Sequence, residues 1–325
     1  MPPRKLNLRQ TRRIDRLHQR RVEDARAAED EDFRATRRGI VISRFGKQAD
    51  VEDPEQPGML RRCHIRANID SLVAGDRIAW SAQGEAGVVL AREERRSALH
   101  RPDAQGRLRV VAANLDRLVV VLAPEPLPHP NLLDRYLVAA EDAGIEATIL
   151  VNKGDLPGAG ALQRSLSGYG EIGYTVICAS SREAASISAL AAVLAGHATA
   201  FVGQSGVGKS SLIAALLPGE ELRIGTLSAA EAKGRHTTTT ARLYHLPQGG
   251  DLIDSPGIRE FSLAFLEPAR IAAGFREFRP HLGHCRFRDC QHRDAPGCAI
   301  REAVERGDVS AARLGSYLQI IGSPA

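Results

Sequence analysis

No hydrophobic run in this sequence is long enough to cross a lipid bilayer. A membrane-spanning helix needs about 18 or more consecutive apolar residues, and the apolar stretches here fall well short of that. The first residues also lack the apolar segment of a secretory signal peptide. We therefore expect a soluble cytoplasmic protein with no membrane partner.

Cysteine is scarce as well. The chain has five cysteines among 325 residues, and three of them, Cys285, Cys290 and Cys298, lie close together. The other two are Cys63 and Cys178. An odd number with a tight cluster argues against a disulfide framework and favours a metal site.

The chain does contain enough apolar residues for well-packed cores, and it carries an uneven excess of positive charge. Hydrophobic residues make up 43%, which excludes a disordered protein, and the length suits two or three domains. The formal net charge is +5 and the pI is about 9.1.

We treat residues 1–34 as a basic arm. Its first 21 residues set eight cations against the acid Asp15: Arg4, Lys5, Arg9, Arg12, Arg13, Arg16, Arg20 and Arg21. Such an arm suits a polyanion such as nucleic acid, although a solvated tail has the same composition.

Residues 35–100 have the pattern of a small β-barrel. Short apolar segments separated by Gly, Pro and Asp read RRGIVISRF, MLRRCHIRA, DRIAWSA and AGVVLAREE. Four or five short strands over this length fit an OB-type barrel, and an SH3-like barrel fits the spacing almost as well. Arg61, Arg62 and Arg66 on these segments suit an RNA-facing surface or, equally, a solvated rim.

From about residue 115 the pattern changes to alternating strands and helices. Strand-like runs read DRLVVVLA, EATILVNK, YTVICAS and ATAFVGQSG, and helical stretches read NLLDRYLVAAEDAG and ISALAAVLAG. The first helix has Asn131 as a candidate N-cap and Gly144 as its stop. Near-continuous Val, Ile and Leu strands predict a parallel α/β sheet with helices on both faces, within a domain spanning 101–270.

A phosphate-binding loop lies inside this region. GQSGVGKSS matches G-x-x-x-x-G-K-S in full and stands between a predicted strand and the helix SSLIAALL. Its glycines let backbone N–H groups turn toward phosphate, Lys209 would contact the β- and γ-phosphates, and Ser210 would ligate Mg²⁺. The residues predicted to bind nucleotide here are Gly203, Gln204, Ser205, Gly206, Val207, Gly208, Lys209, Ser210 and Ser211.

Two further elements are expected around the γ-phosphate. DSPG follows an apolar strand, so Asp254 would hold Mg²⁺ through water and the Gly257 N–H would contact the γ-phosphate. The stretch GRHTTTT, residues 234–240, is expected to be a switch in which one threonine reaches Mg²⁺ when GTP is bound. Thr238 and Thr239 are the two candidates.

The base-reading element precedes the P-loop in the chain. Asn152, Lys153, Gly154 and Asp155 form N-K-x-D at the end of a predicted buried strand, where a doubly wound sheet binds its ligand. Asp155 would accept hydrogen bonds from guanine, the Lys153 stem would pack over the base, and Asn152 would tie this loop to the P-loop. The triplet CAS, residues 178–180, resembles the short element that backs the base. A circularly permuted GTPase domain has its elements in this order, with the base reader first, then the P-loop, the switch and D-x-x-G.

A candidate metal site follows the switch region. Cys285, Cys290, His292 and Cys298 provide three thiolates and one imidazole with short spacings, a set suited to tetrahedral Zn²⁺. We expect one zinc ion per chain, bound in a C-terminal unit over residues 271–325.

Together these motifs resemble one known family. NKGD, GQSGVGKSS, GRHTTT, DSPGIREF and CRFRDCQHRDAPGCAIREAV, in that order, resemble the ribosome-small-subunit-dependent GTPase A family (RsgA, also called YjeQ) over nearly the whole chain. The resemblance implies a multidomain protein with an OB-fold barrel, a permuted P-loop GTPase domain and a helical zinc-binding C-terminal domain. It also implies contacts with 16S rRNA, and GTP hydrolysis stimulated by the small (30S) ribosomal subunit during late assembly. We expect a monomer.

The residue that orients the hydrolytic water is not obvious. Ile258 follows D-x-x-G where many GTPases place a glutamine, so the free protein should hydrolyse GTP slowly. His236 in the switch is the nearest candidate, and the RsgA resemblance points to it. The alternative is that His236 contacts rRNA or solvent.

Two other functions also fit the sequence. One is a nucleotide-gated RNA-binding module in which hydrolysis only sets the residence time on RNA. The other is an ATPase whose N-K-x-D is accidental. GTP turnover with and without 30S subunits tests the first, and nucleotide competition tests the second.

Overall fold

The computed structural model describes residues 36–103, 105–129, 131–219, 241–254, 263 and 265–322. The basic arm, Gly257 and the switch residues His236, Thr238 and Thr239 lie outside these ranges, so the expectations for them stay predictions.

The strands are β1 Thr36–Phe45, β2 Gln48–Glu52, β3 Leu60–Ile65, β4 Arg77–Gln83, β5 Ala86–Arg92, β6 Ala98–Pro102, β7 Leu108–Ala113, β8 Arg117–Leu122, β9 Glu146–Val151, β10 Thr175–Cys178, β11 Ala198–Val202, β12 Arg242–His245 and β13 Asp251–Asp254. The α-helices are α1 Leu132–Ala143, α2 Ala159–Ser165, α3 Ser167–Glu171, α4 Ala184–Leu194, α5 Lys209–Leu216, α6 Pro268–Ala273, α7 Ala299–Arg306 and α8 Ala311–Gly322, with a 3₁₀ helix at Arg276–His281. Within these ranges, every helix is too short or too polar to span a membrane.

Strands β1 to β5 close into a barrel. Strand β1 pairs with both β2 and β4, β2 pairs with β3, β3 runs parallel to β5, and β5 pairs with β4. This order confirms the OB-type prediction over the SH3-like alternative. The barrel interior is apolar and includes Val41, Val51, Trp80 and Val89. The sequence segments predicted four of the strands and missed β2, whose sequence QADVE is short and half polar.

A two-stranded hairpin of β6 and β7 follows the barrel and was not predicted. Its side chains Leu99 and Ala112 are buried in the core beneath the neighbouring α/β sheet. The proposed domain boundary at residue 100 falls within β6. The domain boundaries therefore stay predictions.

The α/β part is the predicted parallel sheet. Its strands lie in the order β10-β9-β8-β11-β13-β12, and β12 alone runs antiparallel to its neighbour β13. Leu118, Val120 and Leu122 of β8 pack on one face with α1, whereas Val119 and Val121 pack on the other face with α4 and α5. Helices therefore cover both faces, as predicted, because alternate strand residues point to opposite sides.

The barrel and the α/β part share one continuous eleven-stranded sheet. Strand β12 pairs with β1 through Ser43 and Arg242. His245 at the end of β12 lies between two carboxylates, with Nε2 2.9 Å from Glu52 Oε1 in the barrel and Nδ1 2.7 Å from Asp251 Oδ1. Hydrogen bonding to Asp251 is the main cause that raises the pKa of His245.

The C-terminal helices have their own core and dock on α1. Phe275 and Phe278 stack with centroids 4.8 Å apart, and Tyr317 packs edge-on against both. Buried Arg313 pairs with Asp134 of α1 and with Glu277, and its Nε lies 2.6 Å from Glu277 Oε1.

The outer ion pairs on α1 join Arg276 and Arg279 to Glu141, and Arg270 to Asp142. Gly144 ends α1 in the left-handed conformation as predicted, with φ of 66°. Asn131 precedes the helix but does not cap it, because its side chain donates to Gln319 of α8 instead.

Candidate nucleotide-binding site and metal centre

The predicted nucleotide-binding loops meet at one edge of the sheet. The loops that follow β8, β9, β10 and β11 all leave the carboxyl ends of neighbouring parallel strands. Strand β13 is also parallel to β11 and ends at Asp254 on the same edge. Carboxyl ends of parallel strands are where sheets of this class bind ligands.

A direct hydrogen bond joins the base-reading loop to the P-loop. The Nδ2 atom of buried Asn152 donates to the Val207 carbonyl at 2.8 Å. Gly208 makes this approach possible, since its φ is +92° and a Cβ there would lie 2.4 Å from Asn152 Nδ2. The other amide atom, Asn152 Oδ1, is buried and has no hydrogen-bond partner among the described residues. This acceptor is free to take a hydrogen bond from a water or a ligand at this edge of the sheet.

The Asp155 carboxylate is held by two side chains from the loop after β10. Ser180 donates its hydroxyl to Oδ1 at 2.7 Å, and Arg182 Nη1 lies 3.2 Å from Oδ2. The Ser180 hydrogen bond is the main cause that lowers the pKa of Asp155, so this group is a carboxylate at neutral pH. That is the form that accepts from guanine N–H groups.

The sequence placed Ser180 within the triplet CAS, which resembles the element that backs the base. It did not indicate the bonds from Ser180 and Arg182 to the Asp155 carboxylate. The available signal was their position directly after a strand parallel to the one that ends in N-K-x-D. The sheet places those two loops side by side.

Gly154, the variable position of N-K-x-D, fits closely against this same loop. Its N–H donates to the Ala179 carbonyl at 3.0 Å, and a Cβ at this position would lie 2.8 Å from Cys178 Sγ. A larger residue here would therefore require the Cys178 side chain to move.

The P-loop residues lie between β11 and the start of α5. Lys209 Nζ donates to the carbonyls of Gly203 and Gln204 at 2.6 and 2.7 Å, so the ammonium group lies against the backbone of the P-loop. Ser210 follows in the first turn of α5. A serine hydroxyl and the Asp254 carboxylate are oxygen ligands of the kind Mg²⁺ takes.

One P-loop contact was not foreseen. The Gln204 side chain bonds to the segment of residues 125–129, which follows β8, through its hydrogen bonds with Pro126, Leu127 and His129. Lys153 reaches the same segment, donating from Nζ to the Glu125 carbonyl at 2.7 Å.

The four predicted metal ligands form one cluster. The Nδ1 atom of His292 lies 3.5 Å from the Sγ atoms of Cys285 and Cys298 and 3.7 Å from that of Cys290, and all four ligand atoms lie within 4.8 Å of one another. Tetrahedral bonds of about 2.3 Å to sulfur and 2.0–2.1 Å to nitrogen put ligand atoms about 3.5 Å apart. The donor set therefore fits a metal ion such as zinc.

The chemistry of the cluster agrees with its geometry. Burial lowers the pKa of His292, which keeps the imidazole in the neutral form that binds metal. Burial also raises the pKa of the Cys290 thiol to about 11, and a bound divalent cation would reverse that direction because it stabilises thiolates. Cys298 leads directly into α7, and Gly297 accepts from the Arg286 N–H at 2.9 Å, which folds the loop back on itself.

Comparison with known proteins places the chain in a family. Residues 92–264 match the family model described as RsgA GTPase. The chain is 54% identical over 295 residues to a protein of Chromohalobacter salexigens named small ribosomal subunit biogenesis GTPase RsgA, covering 89% of this chain and 87% of that protein. A protein of the same name from Azotobacter vinelandii is 50% identical, covering 99% of this chain and 98% of that one.

Solved structures agree with the sequence relatives. The crystal structure of YjeQ from Thermotoga maritima has a TM-score of 0.72 at 31% identity, covering 89% of this chain and 100% of that one. The structure of YloQ, described as a circularly permuted GTPase, has a TM-score of 0.70 at 25% identity, covering 92% of this chain and 100% of that one. With the loops after β9 and β11 bonded to each other in the permuted order, and a family model matching more than half of the sequence, this chain belongs to the RsgA GTPase family.

Proposed function

We propose that this protein is a GTP-hydrolysing assembly factor that binds the small (30S) ribosomal subunit and assists its late maturation. The observation that carries the proposal is the Asn152–Val207 hydrogen bond, because it joins a guanine-reading loop to a phosphate-binding loop in permuted order. The relatives named above carry the name of small ribosomal subunit biogenesis GTPases. A subunit-bound protein of this kind would act in the cytoplasm, and we propose that it does so as a monomer.

The nucleotide would lie along the carboxyl edge of the sheet. Asp155 would accept from the guanine N–H groups while the P-loop backbone and Lys209 hold the phosphates. The full proposed set is Asn152, Lys153, Gly154, Asp155, Gly203, Gln204, Ser205, Gly206, Val207, Gly208, Lys209, Ser210, Ser211, Asp254 and Gly257. Ser210 and Asp254 would hold Mg²⁺, together with Thr238 or Thr239.

The proposed zinc ion would be structural. Four protein ligands fill a tetrahedral site and leave no open position for a substrate. Its ligands are Cys285, Cys290, His292 and Cys298, and it would tie the loop before α7 to the core around Tyr317, whose ring centroid lies 5.8 Å from that of His292.

The rRNA contacts would come from the basic arm and the barrel. On the barrel, Arg62 Cζ lies 4.8 Å from the ring centroid of Phe45, which is 42% exposed. An exposed aromatic ring beside a guanidinium is suited to stacking on unpaired bases. Arg62 also pairs with Asp50 at 2.6 Å, so part of its charge is compensated within the barrel.

The decisive experiment is steady-state GTP turnover with and without purified 30S subunits, with 50S subunits as the matched control. We expect slow turnover by the free protein and a large acceleration by 30S subunits alone. Turnover that does not respond to 30S subunits would contradict the proposed function.

The same assay tests the proposed catalytic role of His236. His236→Ala should keep GTP affinity and subunit binding but lose most stimulated turnover, because removing a water-positioning group costs about 10²–10⁴-fold. Stimulated turnover within a few-fold of wild type would mean that His236 does not orient the water and that the ribosome supplies the catalytic group.

A further inference from the structure

The Gln204 side chain does not point its polar groups at the phosphate cradle. Its Nε2 donates to the carbonyls of Pro126 and Leu127 at 3.1 and 2.8 Å, and its Oε1 accepts from the His129 N–H at 3.0 Å. Both amide hydrogens and one oxygen lone pair are thus engaged by the backbone of the 125–129 segment. A glutamine within the P-loop is therefore used to hold another part of the chain.

Apart from its bonds to Gln204, the 125–129 segment is held at its C-terminal end by the Leu132 N–H, which donates to the His129 carbonyl at 3.2 Å. Leu127 is 76% exposed, and the segment belongs to no helix or strand. Its other end is bonded to the base-reading loop, since Lys153 Nζ donates to the Glu125 carbonyl at 2.7 Å. The segment thus connects the P-loop to the one side chain expected to cover the guanine ring.

We propose that Gln204 is a positioning residue for the guanine end of the nucleotide, acting through the 125–129 segment and Lys153. This inference rests on the proposed function. The Asn152 side chain already binds the P-loop backbone at Val207, whereas Gln204 determines, through the 125–129 segment, where the Lys153 ammonium is held. Without the Gln204 bonds the segment is no longer held in place, and the bond from Lys153 to the Glu125 carbonyl is lost. Binding of a base must then also offset the entropy cost of ordering the Lys153 side chain.

The test is a double-mutant cycle on GDP and GTP affinity. Gln204→Ala should weaken both nucleotides by about tenfold and by the same factor, since neither loss involves the γ-phosphate. In a Lys153→Ala background the same change should cost less than about twofold, because Gln204 would then have nothing left to position. Equal costs in the two backgrounds would overturn the proposal and assign Gln204 to the P-loop alone.

Two further variants separate positioning from folding. Gln204→Glu keeps an acceptor for the His129 N–H but presents an oxygen to the Pro126 and Leu127 carbonyls, so it should weaken binding at least as much as alanine. Gln248→Ala, in the exposed turn between β12 and β13, is the matched glutamine control and should bind within about twofold of wild type. Melting temperatures should stay close to wild type in all of these variants, and weakened binding that only follows a lower melting temperature would overturn the positioning role.

The nucleotide affinity of the wild-type protein separates a failure of the proposed function from a failure of the role proposed for Gln204. Absence of guanine-nucleotide binding by the wild-type protein would remove the proposed function itself. Normal wild-type binding with an unchanged Gln204→Ala affinity would remove only the role of Gln204.

Discussion

Asn152 and Val207 are 55 positions apart in the chain, yet the Asn152 side chain donates to the Val207 carbonyl at 2.8 Å. The bond connects a loop that follows β9 with a loop that follows β11, two strands separated by β8 in the sheet. One ligand can therefore contact both loops, although the N-K-x-D loop precedes the P-loop in the sequence.

Guanine selectivity should depend on the Asp155 carboxylate. Asp155→Asn should weaken GTP binding by on the order of 1.5–3 kcal/mol, because charge-assisted hydrogen bonds are lost, and should improve binding of xanthosine triphosphate, whose 2-oxo group accepts from the new amide. Competition titrations with the two nucleotides measure both effects. Asp308→Asn, at an exposed ion pair with Arg306, is the control. Unchanged GTP affinity would show that N-K-x-D does not contact the base.

Removal of one zinc ligand should affect the C-terminal unit first. Metal analysis should find one zinc per chain, and Cys290→Ser should lower that value and expose the C-terminal helices to protease before the sheet unfolds. So small a unit depends on metal binding for its folding free energy. Cys178→Ser, at an exposed cysteine outside the cluster, should retain full zinc content. A metal-free protein with intact C-terminal helices would contradict this prediction.

The interface between the barrel and β12 should weaken as pH rises. The folded-state pKa of His245 is raised, so its contribution to stability is fully present below the unfolded value near 6.5 and is lost as pH increases through the raised folded value. The stability difference between wild type and His245→Gln should therefore shrink as the pH rises above the unfolded value near 6.5. The side chain is 45% exposed, so solvent screening should limit the effect to a few tenths of a kcal/mol.

Thermal unfolding at several pH values measures that difference. Gln248→Ala, in the exposed turn between β12 and β13, removes no titratable group and serves as the control, so it should change stability equally at each pH. A stability difference between wild type and His245→Gln that grows with pH would contradict the prediction that the contribution of His245 is lost as pH rises.

The buried arginine between α8 and α1 should be essential to stability. Arg313→Met leaves Asp134 and Glu277 with no compensating charge in a buried site, which typically costs about 3–5 kcal/mol. Chemical denaturation is the measurement. Arg306→Met removes an exposed pair with Asp308 and should cost less than about 1 kcal/mol. Similar losses in the two variants would mean that Arg313 acts as a surface residue.

The basic arm should contribute to the salt dependence of subunit binding. Each phosphate contact releases counterions, so removal of residues 1–21 should flatten the plot of log affinity against log salt. An identical slope after truncation would mean that the arm contacts no phosphate.

Much of the fold could be predicted because its signals are local. Apolar runs such as that of β8 predicted the parallel strands, and the spacing from Cys285 to Cys298 predicted the ligand cluster. Strands β2, β6 and β7 were missed because they are short and carry no apolar run as long as that of β8, and antiparallel pairing with an adjacent strand of the chain holds each of them in place.

Apart from the expected tie between Asn152 and the P-loop, contacts between distant segments could not be predicted. The bonds from Gln204 to residues 126–129 bring together side chain and backbone roughly 75–78 positions apart, and those from Ser180 and Arg182 to Asp155 link two separate loops. No local pattern marks such pairs. The same holds for Arg313 and Asp134, which are 179 positions apart.

The shared sheet also makes the barrel a protective cover. Without the barrel, β12 would be the edge strand of the α/β sheet, because its pairing with β1 through Arg242 and Ser43 would be absent. Unpaired strand edges are templates for association between chains. A fragment that begins after the barrel is therefore expected to self-associate through the exposed edge of β12.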